Sequence, residues 1–191
     1  SKTYEEQNGL ITVAIHNRSV DMLLGWINSK IKTVSLYKKI KINVLEKFVK
    51  KNREYGESKS YETSIGGVRK IFQALKSKGA ICFAADQVPQ RGLGKYIKLY
   101  NRDAYTTTLV QSLALKTGAP VLYIFINSNK NGFLYASVKQ CENDIYDDSK
   151  HQLLLNKDIE KIINVRPIDY SWEYKRFKKH RPPDIDPYRS I

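Results

Sequence analysis

The chain has 191 residues, of which 41% are hydrophobic and 27% charged, and its net charge is +14 from 33 Lys+Arg against 19 Asp+Glu. This length fits one domain with a buried core, and the recurring apolar runs argue against a disordered chain. No apolar stretch approaches the roughly 20 residues of a membrane-spanning helix. Cys82 and Cys141 lie far apart without His or Cys neighbours, which argues against a zinc site and a disulfide framework. The charge predicts a negatively charged partner: nucleic acid, an anionic lipid surface or an acidic carrier protein.

Strand-like and helix-like segments alternate along the first half of the chain. Residues 10–15 (LITVAI) and 80–85 (AICFAA) are continuous apolar runs, as expected of strands that are buried on both faces. Between them we expect four elements: helix 21–31, strand 33–37, helix 41–52 and helix 67–78. The last helix has apolar residues at helical spacing, and Gly79 is expected to end it.

The second half begins with residues 88–102, which are rich in Pro, Gly and basic residues and predict a functional loop. The further expected elements are helix 105–117, strand 121–127, its hairpin partner 132–139 and helix 148–164. Residues 166–191 predict an irregular basic tail that packs on the domain. The alternation predicts one α/β domain over residues 1–191, with a mixed, mostly parallel sheet flanked by helices.

A histidine and a carboxylate follow the first buried strand at close spacing. His16 comes directly after residues 10–15, and Asp21 lies five positions further on. Sites in open α/β sheets form beyond the carboxyl ends of strands, and a carboxylate beside an imidazole stabilises the ring when it takes a proton. The pair therefore suits deprotonation of an alcohol that attacks a carbonyl. The alternative is a structural role, with Asp21 as a helix N-cap.

Four blocks in one order carry a resemblance to a known family. They are residues 9–21 (GLITVAIHNRSVD), Arg53 with residues 66–87, residues 99–125, and residues 170–183 (YSWEYKRFKKHRPP). On these blocks the chain resembles the late acyltransferases of lipid A biosynthesis, within the lysophospholipid acyltransferase superfamily. The motif of the first block is the family's His followed five positions later by an acid. The resemblance implies the glycerolipid acyltransferase-like core.

The resemblance implies an acyl group carried as a thioester by acyl carrier protein, and a hydroxyl acceptor on a 3-hydroxyacyl chain of a phosphorylated glycolipid. It implies no metal or cofactor. His16 would be the general base and Asp21 its orienting carboxylate. Arg53 and Asp86 fall where the family keeps a functional arginine and aspartate.

These residues also have a physical interpretation of their own. Arg53 can bind a lipid phosphate or stabilise the oxyanion that forms from the thioester. The alternative is that it is a solvated basic residue at the end of a helix. Asp86 is placed to position Arg53 or His16. The alternative is a structural role in the turn after the strand. Gln87 is a candidate for a polar pocket wall. Arg18 stands, with Asn17 and Ser19, where the family has small or aromatic residues, and either contacts phosphate or points outward.

The resemblance and the charge together predict the partners and the location. Between residues 30 and 59 there are ten Lys/Arg against three Glu, which favours an anionic membrane surface. We expect the cytoplasmic face of a bacterial inner membrane. The family's N-terminal anchoring helix is absent from the sequence, so we expect an N-terminally truncated fragment.

The residues are also compatible with three alternative functions. The first is an acyltransferase for a glycerolipid or another glycolipid, with coenzyme A or acyl carrier protein as donor. The second is a nucleic-acid-binding module, although a zinc-finger spacing, a helix-turn-helix signal and an RNP-type aromatic motif are missing. The third is a catalytically inactive scaffold.

Overall fold

A computed structural model describes residues 9–147, 151–181 and 185–189 of the chain. The strands are β1 (Leu10–Ala14), β2 (Thr33–Tyr37), β3 (Lys59–Glu62), β4 (Ala80–Ala84), β5 (Gly94–Leu99), β6 (Arg102–Thr107), β7 (Val121–Ser128) and β8 (Leu134–Gln140). The helices are α1 (Val20–Asn28), α2 (Asn43–Arg53), α3 (Ile65–Lys76), α4 (Leu109–Thr117) and α5 (His151–Val165), with short 3-10 turns at Asn143–Tyr146 and Pro167–Asp169. The expected order of elements is largely confirmed.

Six strands form one sheet in the order β3-β2-β4-β1-β7-β8. The pairs β3-β2, β2-β4, β4-β1 and β1-β7 are parallel, and β8 is antiparallel to β7. β1 and β4 therefore lie in the middle, which explains their continuous apolar runs. The predicted fold class, a single α/β domain with a mixed and mostly parallel sheet flanked by helices, is confirmed.

The two faces of the sheet hold two apolar clusters of different size. Alternate residues of β1 divide between them: Ile11 and Val13 belong to the larger cluster, which includes residues of α3, α4 and α5, and Ala14 belongs to the smaller one under α1. This division follows from the two-residue repeat of a strand.

The region between β4 and α4 differs from the expectation. Residues 88–102 were expected to be a loop and 105–117 a helix, but β5 and β6 form a separate antiparallel hairpin. Tyr100 and Asn101 connect the two strands, and both have positive φ angles of 48° and 59°. This is the pattern of a two-residue type I′ turn, which matches the twist of hairpin strands. Without glycine at either position, the turn has a weak sequence signal.

The end of α3 and the tail add two smaller observations. Lys78, rather than Gly79, takes the left-handed conformation after α3, with φ 59°. Residues 148–150 of the predicted helix 148–164 and residues 182–184, 190 and 191 of the tail lie outside the described residues. The described tail is irregular beyond Pro167–Asp169 and is tied to the end of β1 by a bridge between Asn17 and Tyr170.

Candidate functional site

His16 and Asp86 meet at the carboxyl edge of the sheet because their strands are neighbours. Ala14 of β1 is paired with Ala84 of β4, and two residues further along each strand the register brings His16 opposite Asp86. One carboxylate oxygen, Oδ1, lies 2.7 Å from Nδ1 of the ring, and Oδ2 accepts a hydrogen bond from the His16 backbone N–H at 2.9 Å. Asp86 thus holds both the ring and the main chain of the histidine.

The second ring nitrogen of His16 contacts Gln87. The amide nitrogen of Gln87 lies 3.1 Å from Nε2. An ionised carboxylate only accepts hydrogen bonds, so the proton of the neutral ring is assigned to Nδ1. Nε2 then accepts a hydrogen bond from the Gln87 amide. This tautomer leaves the lone pair that a base requires on Nε2, on the side of the ring that Gln87 occupies.

Burial and charge act in opposite directions on His16. Burial alone would lower the pKa of the imidazole, but the hydrogen bond with Asp86 and its negative charge raise it above its ordinary value of 6.5. Arg53 lowers the pKa and Asp21 raises it, both through their charges. The carboxylate therefore stabilises the protonated ring, as expected beside an imidazole that takes up a proton.

Two residues of the tail lie behind Asp86 and were not identified from the sequence. Burial and then the charge of Asp86 raise the pKa of Tyr170. Arg176 is buried and donates hydrogen bonds to the carbonyl of Tyr105 at 2.9 Å and to Oγ1 of Thr106 at 2.7 Å. Burial lowers the pKa of Arg176, whereas the charge of Asp86 raises it. A buried arginine near a buried aspartate has no local sequence signal, since 90 residues separate them.

Asp21 lies at the beginning of α1 and pairs with Arg53 instead of His16. Nε of Arg53 donates a hydrogen bond to Oδ1 of Asp21 at 2.8 Å. Asp21 is 65% exposed, while the Arg53 side chain is 19% exposed. The expectation that Asp21 turns back onto the ring thus differs from the structure, in which Asp86 occupies the position at Nδ1. A strand-end aspartate lies nearer to the ring than the first turn of a helix does.

Arg18 is held away from the cavity that His16 borders. Its Nε donates to Oδ1 of Asp169 at 2.7 Å, and its Nη2 donates to Oγ of Ser128 at 3.1 Å. The backbone of Arg18 has a positive φ of 53°. Of the two expected positions the structure favours the outward one, since the Arg18 side chain is 41% exposed while it pairs with the buried Asp169.

A cavity of about 560 Å³ opens beside His16, within the usual range of ligand sites. One part of its wall is apolar, formed by Ala14, Val20, Leu24, Leu36, Ile40, Phe83, Ala84, Val88, Pro89 and Leu109. Another part carries four cationic side chains: Lys38, Arg53, Lys178 and Lys179. Among the described residues that line the cavity, none is acidic. The cavity suits a ligand with an apolar chain and an anionic group.

The structure also shows which sequence-predicted residues come together. His16, Gln87 and Arg53 line the cavity, Asp86 lies behind the ring, and Asp21 holds Arg53. Within the described parts of the chain, no group of three His, Cys, Asp or Glu has an arrangement that suits a metal ion. None of the helices in the same residues combines the length and the apolarity needed to span a bilayer.

The fold and the site define an α/β protein with a candidate general base at the carboxyl edge of its sheet, beside a partly apolar cavity. The sequence model of the bacterial lipid A biosynthesis acyltransferases matches residues 1–179. Because this match covers nearly the whole chain, the protein belongs to that family. No curated protein matches the chain.

Proposed function

We propose that the protein transfers a fatty acyl chain from a thioester on acyl carrier protein to the hydroxyl of a 3-hydroxyacyl chain of a lipid A precursor. The main support is the contact of 2.7 Å between His16 Nδ1 and Asp86 Oδ1 beside a cavity that is lined by apolar and cationic side chains. Membership of the lipid A acyltransferase family narrows the chemistry to acyl transfer.

In the proposed reaction His16 is the general base and then the general acid. Nε2 takes the proton of the acceptor hydroxyl while its oxygen attacks the thioester carbonyl. The tetrahedral intermediate collapses with cleavage of the C–S bond, and the departing sulfur takes the proton from Nε2. The products are an ester and a free thiol, so no redox partner is required. Asp86 keeps the ring in the productive tautomer and stabilises the imidazolium.

The acceptor hydroxyl takes the place that Gln87 occupies at Nε2. In the structure the Gln87 amide donates to this nitrogen, which is the interaction that a hydroxyl must make before it is deprotonated. Gln87 lines the cavity and therefore contacts the acceptor once it has been displaced from the ring. The loss of one neutral hydrogen bond costs about 1 kcal/mol, which the binding of a lipid easily offsets.

Arg53 and Asp21 act as a unit in this proposal. The guanidinium of Arg53 lines the cavity and is oriented by Asp21 at 2.8 Å. It suits the oxyanion of the tetrahedral intermediate or a phosphate of the glycolipid, both of which are anionic oxygens. Asp21 adds a second effect, because its charge raises the pKa of His16. The side chain that Asp21 orients is Arg53, because the hydrogen bond joins these two residues.

The proposed location is the cytoplasmic face of a bacterial inner membrane, with an anionic phosphorylated glycolipid as the substrate. The net charge of +14 and the lysines that line the cavity favour such partners. Acidic carrier proteins and phosphorylated lipids are both drawn to a basic surface.

The proposal is tested by assays of the purified enzyme with two donors and two acceptors. Acyl carrier protein and coenzyme A thioesters are each combined with the tetra-acylated lipid A precursor and with a lysophospholipid. We expect transfer from the carrier-protein thioester to the lipid A precursor. Transfer to the lysophospholipid alone would establish the glycerolipid alternative instead. Mass spectra of lipid A from cells with and without the gene identify the missing secondary acyl chain and its length.

A further inference from the structure

Helix α2 is exposed along its whole length, unlike the other helices that contribute to the core. None of its residues is buried. It contacts the domain through Glu46, which accepts a hydrogen bond from the Tyr37 hydroxyl at 2.9 Å, through the partly buried Val49 and through Arg53 at its end. These positions are three or four residues apart and lie on one side of a helix. The other sides face solvent.

The solvent side of α2 is divided into an apolar strip and a basic strip. Val44, Leu45 and Phe48 are exposed by 80%, 46% and 64%, and Ile42 before the helix by 63%. Lys47, Lys50 and Lys51 lie beside them and are exposed as well. An apolar strip next to lysines on one helix is the composition of segments that lie in the plane of a membrane interface. The lysine stems reach the headgroups while apolar side chains enter the acyl region.

Helix α2 is also adjacent to the cavity. Arg53 at its C-terminal end lines the cavity, as do Lys38 and Ile40, which lie between β2 and α2. A bilayer in contact with α2 would thus lie against a helix whose last residue lines the same cavity as His16. Arg53 therefore connects the exposed helix to the cavity beside the candidate base.

We propose that α2, with Ile42, is the surface by which the protein docks on an anionic lipid bilayer. The inference takes from the proposed function only that the substrate is a lipid. Charge complementarity favours the bilayer, because Lys47, Lys50 and Lys51 accompany the apolar strip. The apolar side chains protrude from a convex helix, and a fluid bilayer receives them without the matching groove that a protein partner needs.

The first test measures binding to vesicles of phosphatidylcholine alone and of phosphatidylcholine with phosphatidylglycerol. The double variant Val44→Glu/Phe48→Glu introduces two negative charges into the apolar strip. The matched control Leu153→Glu/Val165→Glu makes the same change on α5, where both residues are exposed. We expect the α2 variant to lose at least about tenfold in affinity for the anionic vesicles, because apolar burial and charge attraction both decrease. The α5 control should bind as the wild type does.

A second test reports insertion without destabilising the helix. In the variant Phe48→Trp, vesicles that contain phosphatidylglycerol should shift the fluorescence to shorter wavelength, and lipids brominated on the acyl chain should quench it. The matched variant Leu153→Trp should show neither effect. Both are compared with the unchanged protein, whose own Trp26 and Trp172 give the background.

Several outcomes would overturn the docking proposal. One is equal vesicle affinity of wild type and the folded α2 variant, and another is the absence of any Phe48→Trp response to lipid. A wild-type dimer that the α2 variant dissociates would assign the surface to a second copy. Binding of an acidic carrier protein, but not of vesicles, through α2 would assign it to that partner. His16→Ala must retain vesicle binding, so a failed transfer assay and a failed docking test remain distinguishable.

Discussion

Two buried aspartates, Asp86 and Asp169, have similar surroundings and different consequences. Asp86 is 1% exposed and Asp169 2%, and each has a nitrogen of a basic side chain at 2.7 Å. Asp169 also accepts hydrogen bonds from the backbone and the hydroxyl of Ser128. Both follow the rule that buried carboxylates are paired and hydrogen-bonded.

The difference lies in the partner and in what the partner borders. Arg18 is not among the residues that line the cavity. Its pair with Asp169, which also binds Ser128, ties the end of β7 to the tail. His16 changes its protonation near neutral pH and lines the cavity. A buried carboxylate that pairs with a titratable side chain at a cavity is a candidate for catalysis. One that pairs with an arginine away from the cavity has a structural role, and variants of the two aspartates should therefore behave differently.

The largest effect is expected from His16→Ala. Removal of the base should lower the transfer rate by roughly 10²- to 10⁴-fold, while the fold is retained because the side chain is partly exposed. The measurement is acyl transfer at substrate saturation, with circular dichroism and thermal unfolding as controls. A folded variant with the wild-type rate would refute the role of His16.

Asp86→Asn should have the next largest effect and should change the pH profile. Burial lowers the pKa of His16 and Asp86 raises it, so loss of the carboxylate charge should lower this pKa. The wild-type rate should rise with pH through a pKa above 6.5, since the base must be neutral, and in Asp86→Asn this limb should move to lower pH.

The rate of Asp86→Asn at its plateau should be about a hundredfold lower than that of the wild type, because the imidazolium loses its counter-charge. Nuclear magnetic resonance of the His16 ring gives its pKa directly. An unchanged His16 pKa in this variant would contradict the pairing.

Asp21→Ala should lower the transfer rate by roughly tenfold or more through Arg53, which loses its orienting partner. The pair is too exposed to hold the fold, since exposed ion pairs contribute about 0–1 kcal/mol. Asp21→Glu should keep part of the rate, and Arg53→Ala combined with Asp21→Ala should be less than additive. Glu57→Ala, which breaks the exposed pair with Lys32, is the control and should leave the rate unchanged. If the losses of transfer rate in the two single variants added up fully in the double variant, Asp21 would not act through Arg53.

Asp169→Asn should have the smallest effect on transfer and a clear effect on stability. Loss of the charge removes the ion-pair partner of Arg18, whose side chain is 41% exposed, so solvent screens much of the effect and the free energy of unfolding should fall by about 1–2 kcal/mol. Burial alone would raise the pKa of Asp169, but hydrogen bonds from Ser128 and the guanidinium of Arg18 lower it below 3.8.

The wild type should therefore hold this stability above pH 3.8 and lose it as the pH falls through the lowered pKa. Urea unfolding of the wild type and of Asp169→Asn at neutral pH and near pH 3 measures the difference in their free energies of unfolding. The lower pH is chosen because it lies below the ordinary pKa of an aspartate. A large loss of transfer rate in folded Asp169→Asn would contradict the purely structural role.

The sequence by itself determined the central strands and the position of the candidate base. The apolar runs before His16 and before Asp86 predict two strands that are buried on both faces, and in a parallel sheet their carboxyl ends share one edge. The family motifs added Arg53, Asp21 and Asp86 as site residues. These features are local, because each depends on a short run of residues or on a fixed spacing.

The tertiary structure alone decided which acid meets His16. Asp86 is 70 residues away, and only the β1-β4 register brings it to Nδ1, whereas Asp21 is near in sequence and pairs with Arg53. The β5-β6 hairpin, the buried Arg176 and the uncovered face of α2 likewise depend on contacts between distant segments. Strand pairing and helix docking are set by the packing of the whole domain, which no local pattern of residue types specifies.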